Sequence, residues 1–160
     1  MRKKEREITD RHEIEEVLAR AQVLRLGITE PGAPPYIVPV NFGYRDGSIW
    51  FHSSYKGKKM ELIAKEPSVS FEAEADVAIL APPDQSVACD WGAAFRSVVG
   101  QGRAVLLDSE AEKIEGLRII MSHYAPGLDP SAFTFSEKIL KITAVVRIEI
   151  LRMTGKRNKV

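Results

Sequence analysis

The sequence predicts a mostly β fold, a mainly antiparallel barrel with helices packed outside it. Three observations carry this reading. β-rich runs follow one another without the regular strand–helix alternation of a doubly wound sheet. Asp46-Gly47 lies between two such runs and marks a tight hairpin. The count comes to six or seven strands against three or four helices. With 160 residues and no internal repeat or linker, the whole span 1–160 reads as one domain.

The elements are expected in this order. Asp10 and Glu13 have capping-box spacing. Behind them Ile14, Val17, Leu18 and Ala21 share one helical face. Residues 23–29 alternate as a strand, which Pro31-Gly32 ends. Residues 36–44 form one β run, and Pro39 inside it points to an edge, a bulge or a place where something other than a strand uses the backbone. Residues 48–53 return after the hairpin. Residues 58–65 form a short helix with Met60 and Ile63 inward. Residues 68–74 are the next strand, and Ala81–Asp84 is a loop. Residues 95–107 are a long β run bent or bulged at Gly100 and Gly102. Ser109 and Glu112 make a second capping box ahead of a stripe of Ile114, Leu117, Met121 and Tyr124. Residues 126–134 read as a loop, and 142–153 as the closing strand.

Composition narrows the function classes. The net charge is +1 and 28% of residues are charged, so the protein as a whole is no polyanion binder. The basic runs Arg2-Lys3-Lys4 and Lys156-Arg157 read as solvated tails, without the aromatic platform of a nucleic-acid site. One cysteine, Cys89, allows no intrachain disulfide, and it reads as an inert, partly buried thiol. No apolar h-region follows the basic start. No run approaches the ~18 apolar residues of a membrane span. A cytoplasmic location is expected, with no nucleic-acid or membrane partner.

The chemistry concentrates between Ser53 and Lys59. Ser53, Ser54, Gly57, Lys58 and Lys59 bring hydroxyls, free backbone N–H groups and two ammonium groups to one helix start. That combination suits a phosphate. A solvated basic loop is the other reading, although lysines there oppose the helix dipole unless an anion is present. The spacing is not that of a Walker loop. Gly100-Gln101-Gly102 lacks the third glycine of a dinucleotide fingerprint and lies in a β run. His12, His52 and His123 lie far apart without metal-ligand spacing, so no metal site is expected. On the residues alone His52 reads as a hydrogen-bonded strand histidine. Trp50, Phe51, Tyr55, Trp91 and Phe95 read as core.

Four segments together resemble the FMN-binding split-barrel superfamily, the pyridoxamine 5'-phosphate oxidase-like proteins, and within it the 5-nitroimidazole-resistance type. They are Arg6-Glu7-Ile8-Thr9-Asp10; Pro35 through Tyr44; Phe51-His52-Ser53-Ser54 with Gly57-Lys58-Lys59; and Ser97-Val98-Val99-Gly100 with Gly102 and Ala104. The resemblance extends to the closing strand as far as Lys156. It implies FMN as cofactor and a homodimer with flavin at the subunit interface. It implies that Val38, Pro39, Val40 and Asn41 meet the flavin ring, largely through backbone groups. Ser53, Ser54, Lys58 and Lys59 would hold the phosphate. Trp91, Ser97 and Val98 would complete the site, from either subunit. His52 would lie by the ring and take a catalytic role. The implied function is an oxidoreductase reducing a small electrophile such as a nitroaromatic. The alternatives are a flavin-binding or flavin-sensing protein without turnover, and a split barrel that takes deazaflavin or haem. The Arg-x-His motif and proline-ended tail of a vitamin B6 oxidase are missing: the chain ends Arg152-Met153-Thr154-Gly155-Lys156-Arg157-Asn158-Lys159-Val160.

Overall fold

A computed structural model describes residues 3–158. Eight strands join in one antiparallel sheet. They are β1 (Glu7–Ile8), β2 (Leu24–Ile28), β3 (Tyr36–Val40), β4 (Phe42–Arg45), β5 (Ser48–Ser54), β6 (Ser68–Leu80), β7 (Gly92–Leu106) and β8 (Thr143–Asn158). Four α-helices flank them: α1 (Arg11–Arg20), α2 (Lys58–Lys65), α3 (Glu110–Tyr124) and α4 (Glu137–Ile142). The strand order is β3-β2-β6-β7-β8-β5-β4, with β1 paired to the end of β8. This is the split-barrel architecture expected from the sequence.

The run 36–44 is not one strand. It divides at Asn41 into β3 and β4, which lie at opposite ends of the strand order. The chain thus steps from one edge of the sheet to the other across a single residue, and that step closes the barrel. Asp46 (φ 47°) and Gly47 (φ 75°) form the hairpin between β4 and β5. Positive φ at both central positions matches the right-handed twist of the strands. The bulge expected at Gly100 and Gly102 occurs as a register shift between Gln101 and Gly102. Its extra residue lies opposite, at Leu151 of β8, which is 76% exposed.

Strand alternation builds the core. Leu24, Leu26, Ile28, Phe42, Ile49, Phe51, Phe71, Val98 and Ile148 point inward and are buried, and α1 adds Val17 and Leu18. Burying each such side chain contributes roughly 1.5–3 kcal/mol. Val145 faces the other way and joins Leu107, Leu117, Ile120 and Leu140 in a second cluster under α3 and α4. A side chain at Gly43 would place its Cβ 2.6 Å from the Ile119 carbonyl oxygen, so only glycine lets α3 lie this close to β4.

Several expectations are corrected. β6 and β7 run past residues 74 and 95 as a long hairpin, because Asp76 (φ 56°) takes up the irregularity between Ala75 and Ala78. α4 forms where no helix was expected, capped by Ser136, whose side chain accepts from the Ile139 N–H. At the first helix the Asp10 carboxylate accepts from the His12 N–H, while Glu13 turns to Arg157 in place of closing a capping box. Lys156 and Arg157 belong to β8 and are no solvated tail: Arg157 pairs with Glu13, and the Lys156 ammonium lies 5.5 Å from the Phe95 ring centre. Arg2, from the other basic run, lies outside the described residues, as do Lys159 and Val160. Cys89 is exposed, as are Tyr55 and Trp91. Among the described residues no helix is long and apolar enough to cross a membrane.

Candidate functional site

Three elements converge at one rim of the barrel: the start of β3, the end of β5 and the first turn of α2. β5 alternates, so Phe51 enters the core while His52 faces outward, with half-buried Ser53 and exposed Ser54 following. Ser54 Oγ accepts from the Lys56 N–H at 3.2 Å, which turns the chain toward α2. Gly57 (φ 123°) starts that helix with no side-chain cap. The first N–H groups of α2 therefore have no side-chain acceptor at the cap and favour an anion.

The two lysines differ. Lys58 pairs with Glu30 at 2.7 Å and lies 5.1 Å from the Tyr36 ring centre, joining α2 to β3. Lys59 has no carboxylate partner among the described residues. Its ammonium lies 5.3 Å from the Phe51 ring centre, and burial lowers its pKa. Burial also lowers the pKa of His52, and the charge of Lys59 lowers it further. A half-buried ammonium without a carboxylate partner among the described residues, beside an imidazole whose charged form is disfavoured, is an environment that an anion relieves.

β3 contributes backbone. It pairs in register with β2 without a bulge, Pro39 facing Arg25. A proline donates nothing to a ladder, so the bonded pairs are Val38 with Leu26 and Val40 with Leu24. The main-chain polar groups of Ile37 and Pro39 face the open edge, and exposed Asn41 follows them. Val40 itself is buried. Of the expected set, Pro39 and Asn41 therefore present themselves at the edge, while Val38 and Val40 spend their backbone on β2.

Trp91, Ser97 and Val98 are not in this cluster. β2 and β6 stand between β3 and β7, a separation on the order of 14 Å at the usual strand spacing. Trp91 lies further out on the β6–β7 hairpin, where its Nε1 donates to the Gln85 carbonyl at 3.1 Å. Val98 is fully buried and paired with Ala73 and Gly155. Alternation puts its half-buried neighbour Ser97 on the outer face instead. Two larger concavities are not lined by His52, Ser53, Lys58 or Lys59, although the second borders α2. One of about 550 Å³ lies by Phe95, Arg96 and Asn158, and one of about 450 Å³ by Tyr55, Met60 and Ala104.

Sequence reasoning missed Glu30, which holds Lys58, and two α3 residues, His123, which bonds the Ala21 carbonyl, and Tyr124, which bonds Phe42 next to Asn41. Tyr124 was visible only as the last member of an apolar stripe. Nothing local marks a partner 82 residues away.

An eight-stranded split barrel with a basic corner at its rim defines the class. Residues 10–157 match the pyridoxamine 5'-phosphate oxidase family, and the chain belongs to it. Solved structures agree. A candidate 5-nitroimidazole antibiotic resistance protein from Bacteroides thetaiotaomicron is 26% identical, with a TM-score of 0.81 over 94% of this chain and 86% of that one. The flavocytochrome Anf3 from Azotobacter vinelandii is 21% identical, with a TM-score of 0.83 over 100% of this chain and 72% of that one. A FAD- and haem-binding protein from Mycobacterium smegmatis is 16% identical, with a TM-score of 0.82 over 97% and 74%. No curated protein matches the sequence.

Proposed function

We propose that this protein binds FMN and acts as an oxidoreductase that reduces a small electrophile of the nitroaromatic type. One observation carries the reading: Lys59, half-buried and without a carboxylate partner among the described residues, beside His52, Ser53 and the uncapped start of α2. The residues fit a phosphate monoester. Lys59 and the Ser53 and Ser54 hydroxyls would hold it, together with the first N–H groups of α2. Lys58 would add its charge while sharing it with Glu30. The open edge at Pro39 and Asn41 offers backbone groups to a flat polar ring. His52, whose charged form is disfavoured by burial and by Lys59, can accept a hydrogen bond there. The flavin, when bound, supplies the redox chemistry. The 26% identical neighbour supports the nitroimidazole substrate class.

The reading includes a homodimer with the ligand between subunits, in the cytoplasm. A single chain leaves the β3 edge uncovered, with Ile37 67% exposed and Val99 of β7 53% exposed on the outer face. A second copy would cover them and bring its Trp91 and Ser97 toward the ring.

The purified protein should be yellow, with a flavin spectrum. It should bleach anaerobically with NAD(P)H and recover its colour on addition of a 5-nitroimidazole. A haem or deazaflavin spectrum would overturn the cofactor. A flavin that bleaches but is not re-oxidised by the nitro compound would leave a flavin-binding protein and remove the activity. Lys58→Ala/Lys59→Ala should weaken FMN by at least about tenfold, or 1.4 kcal/mol, and riboflavin far less. Equal losses would remove the phosphate assignment.

A further inference from the structure

Tyr124, at the last turn of α3, holds an unusual position. Its hydroxyl accepts from the Phe42 N–H and donates to the Gln22 carbonyl, both at 3.0 Å. The β2–β3 register explains why this matters. Bonded pairs in that ladder are Tyr36 with Ile28, Val38 with Leu26 and Val40 with Leu24, stepping two residues on each strand. The next pair in the series is Phe42 with Gln22. In place of that rung, the Phe42 N–H and the Gln22 carbonyl both bond the Tyr124 oxygen. The barrel is split by one inserted hydroxyl where another rung would have formed.

His123 supports the wedge. Its Nε2 lies 2.7 Å from the Ala21 carbonyl, which can only accept, so this nitrogen carries the proton. Its ring centre lies 4.6 Å from Phe42 and 4.7 Å from Tyr124. The Cβ-free contact of Gly43 with Ile119 holds α3 against β4 one residue further on. The corner before Phe42 is Asn41, the residue that projects at the open end of the β3 edge.

We infer that Tyr124 is a positioning residue for the ring side of the flavin site. Its hydroxyl keeps β4 from zipping onto β2 and so sets where Asn41 stands beside the β3 edge. This rests on the flavin reading above. It assigns Tyr124 no contact with ligand.

The test is Tyr124→Phe, which removes one oxygen and keeps the ring. Phe42 can then bond Gln22 directly, so thermal stability should change little while Asn41 moves. FMN and riboflavin should both weaken, by the same factor of about tenfold, and the visible absorption of bound flavin should shift. This contrasts with the lysine pair, whose loss falls on FMN. A Tyr124→Phe protein with unchanged affinities and spectrum overturns the inference, whatever its melting temperature. A wild-type protein that binds neither FMN nor riboflavin overturns the flavin reading and this inference with it. Should the variant fail to fold, amide exchange on the wild-type protein decides. FMN should slow exchange of the Phe42 N–H at least tenfold, and an unchanged rate overturns the proposal.

Discussion

β3 and β4 are the two edges of one sheet, one residue apart in the chain, and they are treated in opposite ways. β4 is sealed. Phe42 is fully buried, its N–H is taken by Tyr124, and α3 lies against Gly43 at a distance only glycine permits. β3 is bare. Ile37 is 67% exposed, and Pro39 turns its missing donor to the open side. An uncovered edge invites pairing with another chain unless something blunts it. Pro39 does this in part by removing a donor. The difference teaches how the barrel treats its two edges: the β4 edge is closed by the protein's own α3, and the β3 edge is left open, where the proposed function would use it.

The largest expected break lies on the sealed side. Gly43→Val drives a Cβ into the Ile119 backbone and should cost about 3 kcal/mol, at the upper end of overpacking penalties. Calorimetry should show a clear fall in melting temperature, and a fall no larger than that of Ile37→Thr would erase the distinction between the edges. On the recognition side, the two lysines should separate. Lys59→Ala should weaken FMN by about tenfold, and Lys58→Ala by less, because Lys58 already shares its charge with Glu30. Isothermal titration of each single variant reads this directly. The reverse ranking would place the phosphate nearer Lys58.

A third measurement uses pH. Burial holds His123, over the sealed edge, below its ordinary value of 6.5, with the Ala21 bond opposing. His52 is lowered as well, by burial and then by Lys59. The unfolded chain therefore takes up these protons first as pH falls. The stability they contribute is full above about pH 6.5 and is lost progressively below it. Urea midpoints should fall between pH 6.5 and 5.5, and His123→Phe should flatten that slope. An unaltered slope in the variant would assign the titration elsewhere. The smallest effects belong to the bare edge: Ile37→Thr and Pro39→Ala should each change stability within about 0.5 kcal/mol in thermal melts. A larger loss at Pro39 would mean that its nitrogen faces β2 and not the open side.

Much of this was legible in the chain. Asp46-Gly47 named its hairpin, Ser109-Glu112 its capping box and Pro39 its edge, because each depends on backbone chemistry within a few residues. The corner at Ser53, Ser54, Lys58 and Lys59 was visible for the same reason. Burial of the alternating β residues followed from their period. What the sequence could not determine was every pairing between distant residues. One β run from 36 to 44 gave no sign that Asn41 would carry the chain across the barrel's opening. Tyr124 reaches Phe42 across 82 residues, Glu30 takes Lys58, and Val98 falls to the inner face. Local composition sets which conformations a segment prefers. Which carboxylate meets which ammonium, and which hydroxyl separates two strands, depends on how the elements pack. Only the closed tertiary structure decides that.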